Sequence, residues 1–380
     1  MTDQFPKIFF RMKTKLIISI ILFVFCSIAV LAGDNPKKSR GKFEASLSIN
    51  SFYDSNILKY SDKYIERFKN YQDEGRFHIN RYDDLVFTYD FEISYSDKLI
   101  SDLRTVLGAE FDTDMYSYNH IKNWSNYSLY LRQEITNSTS FLFSYSFIPN
   151  FYVRHFYDDD WTYYYGFVPE SFQPYDFSKD DYSFWVQQYL WNRNTRVRGY
   201  FSYSKYLYNE HYTEFDSDDY LYGIRVYQKI TKKLSVNLGY KYSISDAKGF
   251  DQPNETRQTS DDSDATNYEH IYIAGIEFKL PDVFSLDNDL SFTAQYQEQF
   301  FTTKHFLELD PLHSGRYDYN YRFYFNYNLD LFNNFSLTSF FTWMSRKSST
   351  SAKTNRELVS DEKDYSQYQV GMKFNYKIKF

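Results

Sequence analysis

The sequence predicts an all-β fold, a transmembrane antiparallel up-and-down β-barrel of about fourteen strands. Three observations predict it. Apolar and polar residues alternate with period two along most of the chain, and the connections between alternating segments are long and short by turns. Aromatic residues make up 22% of the chain, with 41 Tyr and 38 Phe among 380 residues. Tyr and Phe favour pleated, half-buried surfaces and form helices poorly. At 42% hydrophobic residues and a mean hydropathy of -0.63, the chain is too polar for a bundle of membrane helices. The aromatic content also excludes a disordered chain, and a net charge of -7 argues against a nucleic-acid binder.

The amino terminus reads as an address. Lys7, Arg11, Lys13 and Lys15 precede the apolar run Leu16 to Leu31, and Ala32 follows. A basic stretch, a short apolar core and a small residue make a signal peptide over residues 1–32, leaving a barrel over 33–380. Cys26 falls inside the apolar core, so the mature chain has no cysteine for a disulfide or a thiolate metal site.

Taken in order, the first strand is read at 42–52 and the second at 83–97. In the second, Leu85, Phe87, Tyr89, Phe91, Ile93 and Tyr95 alternate with Val86, Thr88, Asp90, Glu92 and Ser94. Three more follow at 102–113, 124–136 and 139–153. The sixth, 181–192, is the least regular, because Phe184, Trp185, Tyr189 and Trp191 do not keep one parity. The seventh spans 195–207. In the eighth, 218–231, Tyr220, Tyr222, Ile224 and Val226 alternate with Leu221, Gly223, Arg225 and Tyr227. In the ninth, 233–246, Leu234 to Ile244 alternate with Ser235, Asn237, Gly239, Lys241 and Ser243. Strands at 267–280 and 288–303 precede the twelfth, 318–331, where Tyr319, Tyr321, Phe323, Phe325, Tyr327 and Leu329 share a face. A strand at 335–347 leads to the last, 364–380, in which Tyr368, Val370, Met372, Phe374, Tyr376, Ile378 and Phe380 alternate with polar residues or Gly371.

Each such strand has one apolar face. A soluble sandwich would bury those faces against each other. The strand lengths, the Tyr near strand ends and the sidedness of the connections favour lipid instead, and a sheet in lipid must close because no edge can stay unpaired there.

The alternating aromatics that end at Phe380, with Tyr376 and Ile378 on the same face, resemble the assembly signal of bacterial outer-membrane β-barrels. The resemblance is to the class, porin-like barrels included. It implies a Gram-negative outer membrane, contact with lipopolysaccharide and insertion by the barrel-assembly machinery. The segment Ser51 to Ile57 is similar to the opening strand of porin-like barrels and of surface-lipoprotein assembly modifiers; the latter carry a helical repeat domain before the barrel, for which this chain has no room.

If the apolar alternates face lipid, the others face the lumen. The inward acidic residues are then Glu44, Asp90, Glu92, Glu110, Glu134, Glu269, Glu277 and Asp330. The inward basic residues are Lys42, Arg104, Arg132, Arg154, Arg196, Arg198, Arg225, Lys229, Lys241, Lys279, Arg322, Arg346, Lys373, Lys377 and Lys379. The basic set is larger, so the wall is expected to be net positive. The remaining acidity is expected in loops, at Asp158, Asp159, Asp160, Asp216, Asp218, Asp219, Asp261, Asp262 and Asp264. Tyr130, Tyr152, Tyr200, Tyr227 and Tyr324 would offer ring faces to sugars.

The expected function is passage of small hydrophilic solutes, anionic or saccharide, through a pore. The competing reading of the same charges is that Arg–Glu pairs cross-link strands and fill the lumen. A surface-binding or secretion barrel acting through the 53–82, 154–180 and 247–266 loops is the alternative. An outer-membrane hydrolase is the third reading, with His155 near Asp158 or His211 near Asp216 as acid and base. No esterase, zinc-protease, phosphate-loop or dinucleotide motif is present, and the reading is of a non-enzyme with no cofactor and no metal.

Overall fold

Fourteen alternating segments become fourteen paired strands. The computed structural model describes residues 41–380, apart from 101, 284 and 333; the expected signal peptide, 1–32, lies outside the described residues. The strands are β1 (Lys42–Asp54), β2 (Asp84–Asp97), β3 (Thr105–Tyr116), β4 (Trp124–Glu134), β5 (Thr139–Tyr157), β6 (Phe172–Leu190) and β7 (Thr195–Tyr208). They continue as β8 (Ser217–Lys229), β9 (Leu234–Ala247), β10 (Asn267–Lys279), β11 (Asn288–Phe301), β12 (Arg316–Phe332), β13 (Phe335–Thr350) and β14 (Tyr365–Lys379). Each pairs antiparallel with its neighbours in the chain, and β1 pairs with β14, so the sheet closes into a barrel. Long connections cap one end, at 55–83, 117–123, 158–171, 209–216, 248–266, 302–315 and 351–364. Short turns and both strand termini occupy the other.

Strand boundaries match the sequence pattern closely except in one hairpin. β5 continues to Tyr157 and β6 begins at Phe172, where the pattern placed ends at 153 and 181. The ladder shifts register between Ile148 and Phe151 and again between Tyr152 and Arg154. Each bulge adds an unpaired residue and reverses the parity that follows, which is why alternation alone lost the strand there.

The outward face is apolar. Leu47, Ile49, Phe91, Ile224, Leu238, Val370, Met372 and Phe374 are exposed, while inward neighbours such as Ser48, Ser128, Gln187 and Asn320 are buried. Tyr182, Tyr203 and Tyr220 pack ring to ring across three strands, at 6.1 and 5.3 Å between centroids. Tyr272, Tyr296 and Tyr319 form a second row at 6.1 and 6.2 Å. Rings with a polar tip suit the edge of an apolar belt.

The seam is made by the two chain ends. Phe43 N donates to Phe380 O at 2.9 Å, and Phe380 N donates to Phe43 O at 3.0 Å. Their rings stack at 5.8 Å. Tyr376, Ile378 and Phe380 all lie exposed on the outward face. Phe380→Ala keeps both backbone bonds and removes the stack, and should cost about 1 kcal/mol, read as a lower midpoint in denaturant titration of the protein refolded in micelles.

Candidate functional site

The long first loop turns inward. Its segment 55–60 leaves β1 and carries Ile57, Leu58 and Tyr60 into a cluster with Phe52, Val86, Tyr116 and Tyr152, which face the lumen from β1, β2, β3 and β5. Helix α1 (Asp62–Lys69) follows, and its Tyr64 joins the same cluster. The barrel mouth thus has a hydrophobic core of its own. Asn56 fastens the turn: its Oδ1 accepts from Tyr60 N at 2.8 Å, and its Nδ2 donates to Tyr60 O at 2.8 Å and to Ser366 O at 3.1 Å. Asp54 sits below and accepts from Gln367 and Gln369 of β14. A second clasp joins α1 to helix α3 (Arg356–Lys363) of the last loop, where Lys63 Nζ lies 2.7 Å from Glu362 and Tyr64 hydroxyl also donates to Glu362.

Beside this plug lies a chamber of about 230 Å³. Arg154, Arg316 and Arg346 reach it from β5, β12 and β13, and Lys363 from the end of α3. Phe156, Tyr175, Tyr212 and Phe215 form its aromatic side. Arg316 Nε donates to Asp318 at 2.8 Å, which neutralises that guanidinium. Arg154 donates to Leu58 O at 2.9 Å and Arg346 to Lys363 O at 2.7 Å, both neutral acceptors, and Arg346 Nε also lies 4.0 Å from the shared Asp318 carboxylate. Burial, and then the neighbouring guanidiniums of Arg316, Arg154 and Arg346, hold the Lys363 ammonium well below the ordinary lysine pKa. A second cavity of about 400 Å³ shares Tyr175, Phe215 and Arg346 with the chamber and extends along the lumen wall to Asp219 and Glu269.

Below the mouth the wall sorts its charges. On one side Arg132 and Arg198 approach the Trp185 ring at 5.9 and 4.4 Å. Arg196 and Arg225 lie over Tyr227 at 3.8 and 5.0 Å, and Lys241 lies 5.7 Å from the Tyr200 ring. Among the described residues none of these five cations has a carboxylate within 4 Å. The Nε atoms of Arg196 and of Arg322 on β12 are buried without a hydrogen-bond partner. On β1 to β3 the wall is acidic. Asp90, Glu110 and Asp112 line one cavity of about 230 Å³ with Lys373, whose ammonium is 3.7 Å from Asp90. Tyr130 hydroxyl donates to Glu92 at 2.5 Å across this wall.

Sequence parity found most of these positions and missed a group of carboxylates. Asp54 and Asp114 face inward because β1 and β3 run further towards the loops than the pattern suggested, whereas Asp112 and Asp318 fall within the strands read at 102–113 and 318–331 and share the inward parity of Glu110 and Arg322. Asp218 and Asp219, expected in a loop, belong to β8, and Asp219 accepts from Ser217 and Ser245. The wall charges are sorted around the ring, with the ring-packed cations on β4 and β7 to β9 and carboxylates concentrated on β1 to β3. Arg104 is exposed in the turn before β3, while Glu134 ends β4 and Tyr324 lies inward beside Arg322 on β12.

The expected acid–base pairs do not form. His155 Nδ1 meets Tyr152 hydroxyl at 2.8 Å, and its ring stacks on His78 at 3.6 Å, so it does not engage Asp158. His211 Nδ1 meets Asp158 at 2.7 Å instead of Asp216, whose carboxylate accepts from Tyr208 N. In the loop 248–266, ligand atoms of Asp251, Glu255 and Asp262 lie within 4.8 Å of one another. Burial, and then the charge of Asp262, push the Asp251 carboxyl up to about 7.

No protein-family model and no curated protein matches the chain. Solved barrels are similar to it in architecture at low sequence identity. A bacterial polysaccharide outer membrane secretin aligns over 89% of this chain and 98% of its own, with 8% identity and a TM-score of 0.44. An anion-selective porin from Comamonas acidovorans aligns over 90% and 100%, with 9% identity and a TM-score of 0.43. The outer membrane channel DcaP of Acinetobacter baumannii aligns over 90% and 99%, with 12% identity and a TM-score of 0.42.

Two outcomes test the mouth. Asn56→Ala removes three hydrogen bonds at a buried position, a loss of about 3 kcal/mol at roughly 1 kcal/mol each; it should speed protease cleavage within 55–83 and leave the barrel folded. The Asp158 hydrogen bond, offset in part by burial, raises the His211 pKa above its ordinary 6.5. A raised folded-state value stabilises fully below that ordinary value and is lost as pH climbs through the raised one. Cleavage of the loops 158–171 and 209–216 should therefore accelerate from acid to alkaline pH, and His211→Gln should flatten the profile.

Proposed function

We propose that the protein is a channel of the bacterial outer membrane for passive or facilitated passage of small hydrophilic solutes, with a preference for anions. The observation that carries this reading is the row of wall cations on Arg132, Arg196, Arg198, Arg225 and Lys241, packed on aromatic faces and without carboxylate partners. A wall built only to cross-link strands would pair them with Asp or Glu. An acidic stripe on the far wall leaves the field across the lumen uncancelled, and a low-dielectric wall focuses it on a passing ion. A barrel of fourteen strands lies between filled eight-stranded barrels and open sixteen-stranded ones. Its outward aromatic belt supports the membrane location, and residues 1–32 supply the export signal that the location requires. No catalytic group and no cofactor enters the reading.

A second reading, binding at the cell surface, is favoured by one loop. Helix α2 (Asp159–Tyr165) and its exit expose Tyr163, Tyr164, Tyr165 and Phe167, each at least 66% accessible. Such rings suit saccharide or lipid-headgroup contact. Deleting 161–167 should abolish surface binding under this reading and leave solute passage intact.

Planar-bilayer recording decides the first reading. Purified protein should give conductance steps, and a salt gradient should show anion preference. The triple variant Arg196→Gln, Arg198→Gln, Arg225→Gln should shift the reversal potential towards cations. Absence of steps at every salt concentration and voltage would falsify it.

A further inference from the structure

The mouth chamber has a charge imbalance that its own residues do not correct. Arg316 is matched by Asp318, and Glu362 is matched by Lys63. Arg154, Lys363 and Arg346, whose Nε lies 4.0 Å from the Asp318 carboxylate already engaged by Arg316, remain against Glu214 on the chamber wall. With Lys363 neutral, Arg154 and Arg346 against Glu214 leave one positive charge around a space of about 230 Å³, and a proton taken up by Lys363 makes it two. A fold that needed these residues only for packing would have no use for three of them together, because like charges at close range in a low dielectric repel strongly. The other half of the lining is apolar. Tyr175 meets Tyr212 and Phe215 edge to face at 4.9 and 5.4 Å, and Phe156 lies 5.9 Å from the Lys363 ammonium.

We propose that this chamber is a binding site for a small dianion with a ring or other apolar body, held by Arg154, Arg346 and Lys363 and stacked on the aromatic side. The site deepens the channel reading and relies on it only for the route by which the solute arrives. Two negative charges cancel the excess, and the body of the solute covers Tyr212 and Phe215. The two charges come from a phosphate monoester or from a pair of carboxylates, and both chemistries fit a cluster of guanidiniums and one ammonium.

Lys363 provides an independent signature. The groups facing it are Arg154, Arg316, Arg346, Glu362 and His313. In the empty chamber burial, and then the neighbouring guanidiniums, favour its neutral form. A bound dianion favours the ammonium, so binding takes up a proton.

The test is calorimetric titration of the full chain, folded in micelles, with phenyl phosphate, inorganic phosphate, succinate and phenol. Phenyl phosphate should bind more tightly than inorganic phosphate, and phenol should not bind. Titration at pH 8 in Tris and in HEPES should show proton uptake. Lys363→Gln should weaken phenyl phosphate about tenfold or more and abolish the uptake, while Lys232→Gln, in the exposed turn between β8 and β9, should leave the affinity unchanged. Heat-modifiable migration confirms that each variant is folded. Inorganic phosphate above succinate assigns the charges to a phosphoryl group, and the reverse assigns them to carboxylates; either order supports the site. Phenol binding as well as phenyl phosphate, or Lys363→Gln binding like wild type, overturns it. Conductance without dianion binding removes the site and keeps the channel, and binding without conductance does the opposite.

Discussion

The closure of the hydrogen-bonded ring governs everything else in this molecule. Each strand spends both of its backbone edges on neighbours, and the last unpaired edge is removed where β1 meets β14. In hydrocarbon no water is present to satisfy an open edge, so a sheet with this outward face is stable only when closed. Closure also fixes the side chains. With period two along β14, choosing lipid for Tyr368, Val370 and Met372 sends Gln369, Gly371 and Lys373 into the lumen. The polar interior is a consequence of the apolar exterior.

A polar interior of this width then needs something to organise it. Below the mouth the wall is enough, with cations resting on rings and with Tyr130 and Lys373 answering the carboxylates of Glu92 and Asp90. At the loop end the 55–83 segment does the work by bringing a small hydrophobic core inside the barrel. The arrangement inverts the usual order, since apolar side chains of Phe52, Val86 and Tyr116 point inward only where a loop arrives to cover them. The plug also creates the cationic chamber, because it separates Arg154 from bulk solvent on the side of Leu58.

The strand count, the sidedness of the connections and most of the inward residues were legible in the sequence because each rests on local periodicity. Arg198, Lys241, Glu110 and Tyr130 could be placed from parity alone. What escaped had a non-local cause. The bulges of β5 depend on pairing with β6, so Phe156 and Tyr175 could not be assigned a face. Asp54 and Asp114 lie beyond the strand ends that alternation marks, and only the partner strands show that the ladder continues to them. The helices within loops left a faint local signal, such as acidic Asp62 in the first turn and basic Lys69 in the last turn of α1. Their clasp through Lys63 and Glu362 joins positions at opposite ends of the chain, which no short-range pattern encodes.

The location of the chamber follows from the same non-local logic. Arg154 stands after a double register shift, Arg346 near the end of β13, and Lys363 at the end of α3. Each is unremarkable alone: a basic residue near a strand end or helix C-terminus is ordinary, and the helix dipole even favours Lys363 there. Ring closure brings β5, β12 and β13 around one opening, and the clasp pulls α3 across it. The cost of holding these cations near one another is therefore imposed by topology and borne by contacts elsewhere in the mouth, chiefly the Asn56 turn and the Tyr60–Tyr64 core. The three cations are thus held together where loop, helix and wall converge at the barrel mouth.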